Sequence, residues 1–191
     1  MMNTEILQAS GNLEIVKIYS NGTEELVFSD HNIITSGFGV NLGLMFAGSG
    51  SDNVRDHQIR WFIIGSGTNN PVTANINSLS ANSPMPENVP FTLRYLTDST
   101  GGLLGSQVSM CPIPNSSIKR TGKTSVTYYL LLPNRESNGA SQEISEVGLC
   151  VDKPYKKFGI TDRTLLVAYR TFPTISKTND FSLLFKWTIS V

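Results

Sequence analysis

The sequence predicts an all-β protein, an antiparallel β-sandwich of jelly-roll-like type with one short α-helix. Two observations indicate this fold class. Roughly seven to nine short runs carry apolar, β-branched or aromatic residues at every second position, and turn-forming residues separate them. Only one segment spaces its apolar residues as a helix does. We expect a single domain over residues 13–191, preceded by a candidate N-terminal arm over 1–12.

A hairpin opens the predicted domain. Residues 13–19 and 25–28 form strand-like runs on either side of Asn21-Gly22. Asn-Gly between two such runs is a strong hairpin signal, because the tight turn needs positive φ angles.

The helix is predicted between residues 35 and 48. Ile34, Phe38, Leu42 and Met45 recur at helical spacing, and Gly48 is a suitable end. Internal glycines weaken this helix by about 1 kcal/mol each relative to alanine.

The middle of the chain alternates between strands and polar segments. Residues 59–64 read as a central strand, and 66–90 as a surface excursion. Further strands are predicted at 91–96, 107–111, 126–132 and 143–151. Gly148 indicates a bulge or a close backbone approach within the last of these.

The C-terminal residues 164–191 predict a long β-hairpin. Phe185, Trp187, Ile189 and Val191 fall on one face of its second strand. The polar segment 173–180 supplies the turn, and the chain is expected to end inside the strand.

Composition excludes several classes. Fifteen basic residues balance fifteen acidic ones, so no positive field favours nucleic acid or an anionic membrane. No signal peptide or transmembrane run is evident, which predicts a soluble protein made in the cytosol. Cys111 and Cys150 are better explained as two buried thiols than as a disulfide.

No motif predicts catalysis, a cofactor or a metal. Gly65-Ser-Gly-Thr-Asn-Asn departs from a dinucleotide-binding turn at its third glycine and precedes no helix. His31 and His57 each follow an aspartate without metal-ligand spacing. Glu143 and Glu146 point to opposite faces of a regular strand, so they do not form an acid–base pair.

Two groups of residues remain as candidate sites. Glu146 is expected to be partly buried and to form a structural ion pair with Arg170 or Lys177, since a buried carboxylate needs a partner. Tyr155 and Phe158 lie in a basic loop, 153–158, which is a candidate contact loop for a protein or a sugar.

Four segments, in order, resemble small bacteriophage virion proteins of the tail, neck and fibre type. The first two are Asn32-Ile-Ile-Thr-Ser-Gly37 before the apolar helix, and the strand at 59–64 that runs into Gly65-Ser-Gly-Thr68. The third is Ile144-Ser-Glu-Val-Gly-Leu149. The fourth is the ending from Leu165, with Arg170-Thr-Phe-Pro173, Lys177 and the Trp187 strand.

The resemblance implies a structural part of a virion without enzymatic activity. It would act as a tail, neck or collar component that assembles with itself and with other virion proteins. Two alternatives stay open: a capsid decoration protein of the same fold, and a carbohydrate-binding module that recognises a host glycan through loop aromatics.

Overall fold

A computed structural model of the chain describes residues 9–31, 33–34, 36–47, 57–65, 110–135, 143–154 and 164–191. Several predictions lie outside these residues: the excursion at 66–90, the strand at 91–96, and the contact-loop residues Tyr155 and Phe158. Residues 1–8 of the predicted arm also lie outside them. The remainder of that arm is mostly strand, because the first strand already begins at Ser10.

The described residues form ten strands and two helical segments. The strands are β1 (Ser10–Tyr19), β2 (Glu24–His31), β3 (Ile33–Ile34), β4 (Ile59–Gly65), β5 (Met110–Pro112), β6 (Ile118–Arg120), β7 (Ser125–Leu132), β8 (Glu143–Pro154), β9 (Thr164–Ser176) and β10 (Phe181–Ser190). Helix α1 (Ser36–Ala47) confirms the predicted helix. A 3-10 turn covers Asn115–Ser117.

The strands make two five-stranded antiparallel sheets. The first sheet has the order β2-β1-β10-β7-β6, and the second sheet has the order β3-β9-β8-β4-β5. The first strand pairs with the last, and β3 pairs with the penultimate strand β9. Pairing between opposite ends of the chain is also what closes a jelly roll.

The core lies between the two sheets. Phe62 of the second sheet places its ring centroid 6.5 Å from Phe185 and 6.2 Å from Trp187 of the first. Phe172 contacts Phe185 in the same way, at 6.4 Å. Every second residue of β10 is buried, from Phe181 to Ile189. The predicted sandwich and the inward face of its last strand are therefore confirmed.

The first hairpin forms where the sequence predicts it. Strands β1 and β2 pair antiparallel around Gly22, whose φ is 82°. The Gly22 amide donates to the Tyr19 carbonyl at 2.9 Å, and the Tyr19 amide donates to the Thr23 carbonyl at 2.9 Å. This pattern belongs to a three-residue loop with glycine in the left-handed position, rather than to a two-residue turn.

The predicted C-terminal hairpin is wrong. Strand β9 pairs with β3 and β8 in the second sheet, whereas β10 pairs with β1 and β7 in the first. Residues 177–180 cross from one sheet to the other. The strands therefore face each other across the core, so that both can bury their apolar faces. Val191 lies just beyond β10 and is 45% exposed, so the last residue is not inside the strand.

The pairing of β8 with β9 is irregular on both sides of Gly148. Gly148 itself keeps regular partners, Ile63 and Tyr169, but the register shifts just after it, between Leu149 and Cys150. A larger shift occurs where Ile144 pairs with Ile175 but Glu146 pairs with Thr171, which leaves extra residues on β9 around Pro173. Proline has no amide to donate to a neighbouring strand, so a bulge is the place where a strand tolerates it.

The central strand of the second sheet is buried on both faces. Strand β8 is buried without interruption from Ile144 to Val151. One of its faces meets the first sheet. Helix α1 packs against the neighbouring strand β9. A strand that is buried on both sides loses the alternation of a half-exposed strand and reads as a continuous apolar run.

Candidate functional site

Glu146 is a fully buried carboxylate in the middle of the second sheet. Its neighbours in β8, Val147 and Leu149, belong to the core between the sheets. Because side chains alternate along a strand, Glu146 lies on the opposite face, away from that core. Tyr169 and Cys150 are buried on this side too, and neither belongs to the core cluster.

The structure gives Glu146 a partner in Tyr169. The tyrosine hydroxyl donates to Glu146 Oε2 over 2.8 Å. Tyr169 stands directly opposite Gly148 in the register, two pairs along from Glu146 and Thr171 and therefore on the same face. Since Gly148 has no side chain, no Cβ stands opposite Tyr169 on this face. The glycine that the sequence marks as unusual thus adjoins the tyrosine that binds the buried carboxylate.

The electrostatics of this pair keep the proton on tyrosine. Burial raises the pKa of Tyr169 above its ordinary value, and the charge and hydrogen bond of Glu146 raise that pKa further. A tyrosine in this state donates a hydrogen bond but does not ionise near neutral pH. The pair therefore links β8 to β9 and satisfies a buried acceptor.

Arg170 lies on the other face of the sheet from Glu146. It stands opposite Val147 and points into the gap between the sheets, where it forms an ion pair with Asp30 of β2. Its guanidinium carbon also lies 5.8 Å from the centroid of the Phe28 ring. Arg170 therefore ties the second sheet to the edge strand of the first. Its observed partner is Asp30 rather than the predicted Glu146.

Lys177 occupies the crossover between the sheets and is fully buried. Its Nζ donates to the Thr178 carbonyl over 2.8 Å and lies 5.3 Å from the centroid of the Phe181 ring. Lys17 approaches the same ring at 5.0 Å. Two ammonium groups around one aromatic ring stabilise the crossover through cation–π contacts. The proposed contact between Lys177 and Glu146 stays a prediction.

The two histidines take separate places. His31 is exposed at the end of β2. His57 is held by Asn41 of α1: the Asn41 amide donates to the His57 carbonyl at 2.9 Å, and Asn41 Oδ1 lies 3.1 Å from His57 Nδ1. Because a carboxamide oxygen only accepts, Nδ1 carries the proton in this contact. Within the described residues, no three His, Cys, Asp or Glu side chains are grouped so as to hold a metal.

The cysteines do not form a disulfide. Strand β4 lies between them, with Phe62 opposite Cys111 and Trp61 opposite Cys150. Two strand spacings separate residues by about 9–10 Å, beyond the roughly 7 Å that a disulfide allows. Both cysteines are thiols, as expected, but only Cys150 is buried, whereas Cys111 is half-buried.

Exposed apolar side chains mark the surface at several positions of the described chain. Phe46 is 86% exposed near the end of α1, beside Met45. Leu26 of β2 and Leu131 of β7 are 60% and 51% exposed on the first sheet. No described helix combines the length and apolarity needed to cross a membrane.

Comparisons with known proteins give no match. No protein-family model matches the chain, and neither the curated proteins nor the solved structures yield a significant relative.

Sequence reasoning found Glu146 but missed the observed partners of three polar groups: Tyr169 for Glu146, Asp30 for Arg170, and Asn41 for His57. Side chains alternate along β9, so Tyr169 and Arg170 lie on opposite faces of the strand. This alternation was the signal in the sequence that could have separated their partners. The signal was insufficient, because the pairing between β8 and β9 depends on the bulge around Pro173.

Proposed function

We propose that this chain is a structural protein of a bacteriophage virion, a tail, neck or collar component that assembles with copies of itself and with other virion proteins. The observation that carries the proposal is where the four resembling segments lie. Their described parts correspond to β3 with α1, to β4, to β8, and to β9 with β10.

These segments are far apart in the sequence but adjacent in the fold. Four of the strands, β3, β9, β8 and β4, are consecutive neighbours in the second sheet, and α1 packs on β9. The remaining strand, β10, lies in the first sheet and contacts β4 and β9 across the core. The proximity of these elements supports treating the resembling segments as parts of one fold of the virion-protein type.

The distribution of polar contacts is also consistent with a scaffold role. Glu146 with Tyr169, and Arg170 with Asp30, join strands or sheets to each other. A rigid sandwich leaves its loops and sheet faces available for neighbouring subunits, and symmetry multiplies each such contact.

Peptide mass spectrometry of density-purified phage particles tests the proposal. Copy number is measured against the major capsid protein of the phage that encodes the chain. We expect a small multiple of three, five or six copies per particle, because tail, neck and vertex assemblies are rings of modest size. Particles from a phage that lacks the gene provide the control.

Two results would change the proposal. Hundreds of copies per particle would place the protein on the capsid shell as a decoration protein. Absence from particles whose other tail and neck proteins are detected would exclude a virion role.

A further inference from the structure

The outer face of the first sheet, the face turned away from the core, carries an apolar row across four strands. Leu184 of β10 alternates with the buried core residues Leu183 and Phe185 and so points outward. The register places Leu131 opposite it on β7 and Val16 opposite it on β1, and Leu26 of β2 stands opposite Val16.

The two ends of this row are exposed, whereas its middle is not. Leu26 and Leu131, at its two ends, are 60% and 51% exposed. Val16 is buried in the middle of the row but does not belong to the core cluster. Four strands at about 4.8 Å spacing make an apolar band about 14 Å long.

The neighbouring row carries opposite charges. Glu14 of β1 stands opposite Lys186 of β10, and both side chains are half-buried on the same outer face. The next row toward the end of the sheet is polar, with Thr188 opposite both Asn12 and Thr127. The Thr127 and Thr188 hydroxyls lie 2.8 Å apart.

Each row is self-complementary about the line that runs between β1 and β10. Val16 and Leu26 on one side correspond to Leu184 and Leu131 on the other. In the charged row, Glu14 on one side corresponds to Lys186 on the other. A two-fold axis along that line would lay β1 of one copy over β10 of a second copy, because an isologous contact pairs each position with its symmetric equivalent.

We propose that a second copy of this chain packs on the outer face of the first sheet about this two-fold axis. Aliphatic side chains then cover aliphatic side chains, and each Glu14 meets Lys186 of the other copy. The strands of two sheets packed face to face run within about 30° of each other, so the rows stay in register near the axis.

The size of the face suits a reversible dimer. The axis lies between β1 and β10, so four strands overlap with their equivalents and β6 does not. Four strands at about 4.8 Å spacing and about eight residues at 3.3 Å rise give roughly 500 Å² per copy, or roughly 1,000 Å² in total. Stable interfaces bury about 1,200–2,000 Å², so this one falls in the range of weak, transient interfaces. We therefore expect association that depends on concentration in the isolated chain and is reinforced by neighbours in an assembly.

The dimer deepens the proposed virion function, and it rests on that function only for the reason why copies associate. The dimer and the virion role can each be refuted without the other. A protein found in particles whose isolated chain dimerises through another surface refutes the inference alone. A protein that dimerises through this face but is absent from particles refutes the virion role alone.

Sedimentation equilibrium of the full chain over a wide concentration range provides the first test. We expect a monomer–dimer equilibrium in the native chain, and a dissociation constant raised more than about tenfold by Leu26→Glu combined with Leu131→Glu. Both positions are exposed, so circular dichroism of the variant should show an unchanged fold. Phe46→Ser, which removes an exposed aromatic from α1, is the matched control and should leave the dissociation constant unchanged.

A charge-reversal pair tests the symmetry itself. In a dimer of Glu14→Lys, lysine meets lysine twice, and in a dimer of Lys186→Glu, glutamate meets glutamate twice. Each variant alone should dissociate about tenfold or more readily than the native chain. An equimolar mixture should recover the dimer, because both contacts then join opposite charges.

Three results would overturn the inference. One is a native chain that remains monomeric at the highest concentrations. Another is a dimer that Phe46→Ser weakens and the leucine variants do not. The third is a mixture of the two charge variants that associates no better than either variant alone.

Discussion

Replacing Trp187 by phenylalanine tests how the centre of the sandwich is stabilised. Trp187 is fully buried in β10, and its ring packs on Phe62 of the second sheet. Its Nε1 is buried and finds no hydrogen-bond partner among the described residues. The indole therefore combines a large apolar contact with an unsatisfied donor.

The two contributions oppose each other. Exchanging indole for phenyl removes roughly 40 Å² of buried apolar surface, which costs about 1 kcal/mol at about 25 cal/mol per Å². Removing a buried donor without a partner recovers about 1–3 kcal/mol. We expect Trp187→Phe to leave the free energy of unfolding unchanged or to raise it by up to about 2 kcal/mol.

Urea unfolding followed by far-ultraviolet circular dichroism measures this change without depending on tryptophan fluorescence. Phe185→Leu is the matched control: it lies in the same strand, faces the same core, and loses a ring without removing any polar group. We expect it to lower the free energy of unfolding by about 1–2 kcal/mol. A loss of more than about 2 kcal/mol in Trp187→Phe would refute the reasoning, since it would mean that the indole N–H is satisfied in solution.

Three further predictions concern the polar groups and the first turn. Tyr169→Phe removes the donor to the buried Glu146 carboxylate and should lower the free energy of unfolding by about 1.5–3 kcal/mol in urea titrations, whereas Tyr129→Phe, on the outer face of the first sheet, should change it by less than about 0.5 kcal/mol. Burial raises the pKa of Tyr128 to about 12, so between about pH 10 and pH 12 the folded state keeps a proton that the unfolded state releases. The resulting stabilisation is complete below pH 10 and is lost toward pH 12, at about 1.4 kcal/mol per pH unit. In Tyr128→Phe, the free energy of unfolding should therefore fall less steeply with pH over this range, by that slope. Gly22→Ala should cost about 1 kcal/mol in thermal unfolding because its φ is 82°, and an unchanged midpoint would show that the loop takes another conformation in solution.

Local pattern was enough for the elements that depend only on neighbouring residues. Asn21-Gly22 indicated the first hairpin, and the spacing of Phe38 and Leu42 indicated α1. The alternation of β10 gave its buried face correctly from Phe185 to Ile189. Each of these follows from the period of a helix or strand, or from a backbone angle that glycine favours.

The tertiary structure alone decided which strands pair. Strands β9 and β10 look like the two arms of a hairpin, yet they enter different sheets, because alternation defines a buried face without naming the neighbour across it. The partners of the buried charges depend on the same choice. Pairing of β8 with β9, shifted by the bulge at Pro173, sets Glu146 beside Tyr169, whereas Arg170 points through the core to Asp30. Register between distant strands is a non-local property, so the sequence determined that Glu146 needed a partner and only the fold determined which one it received.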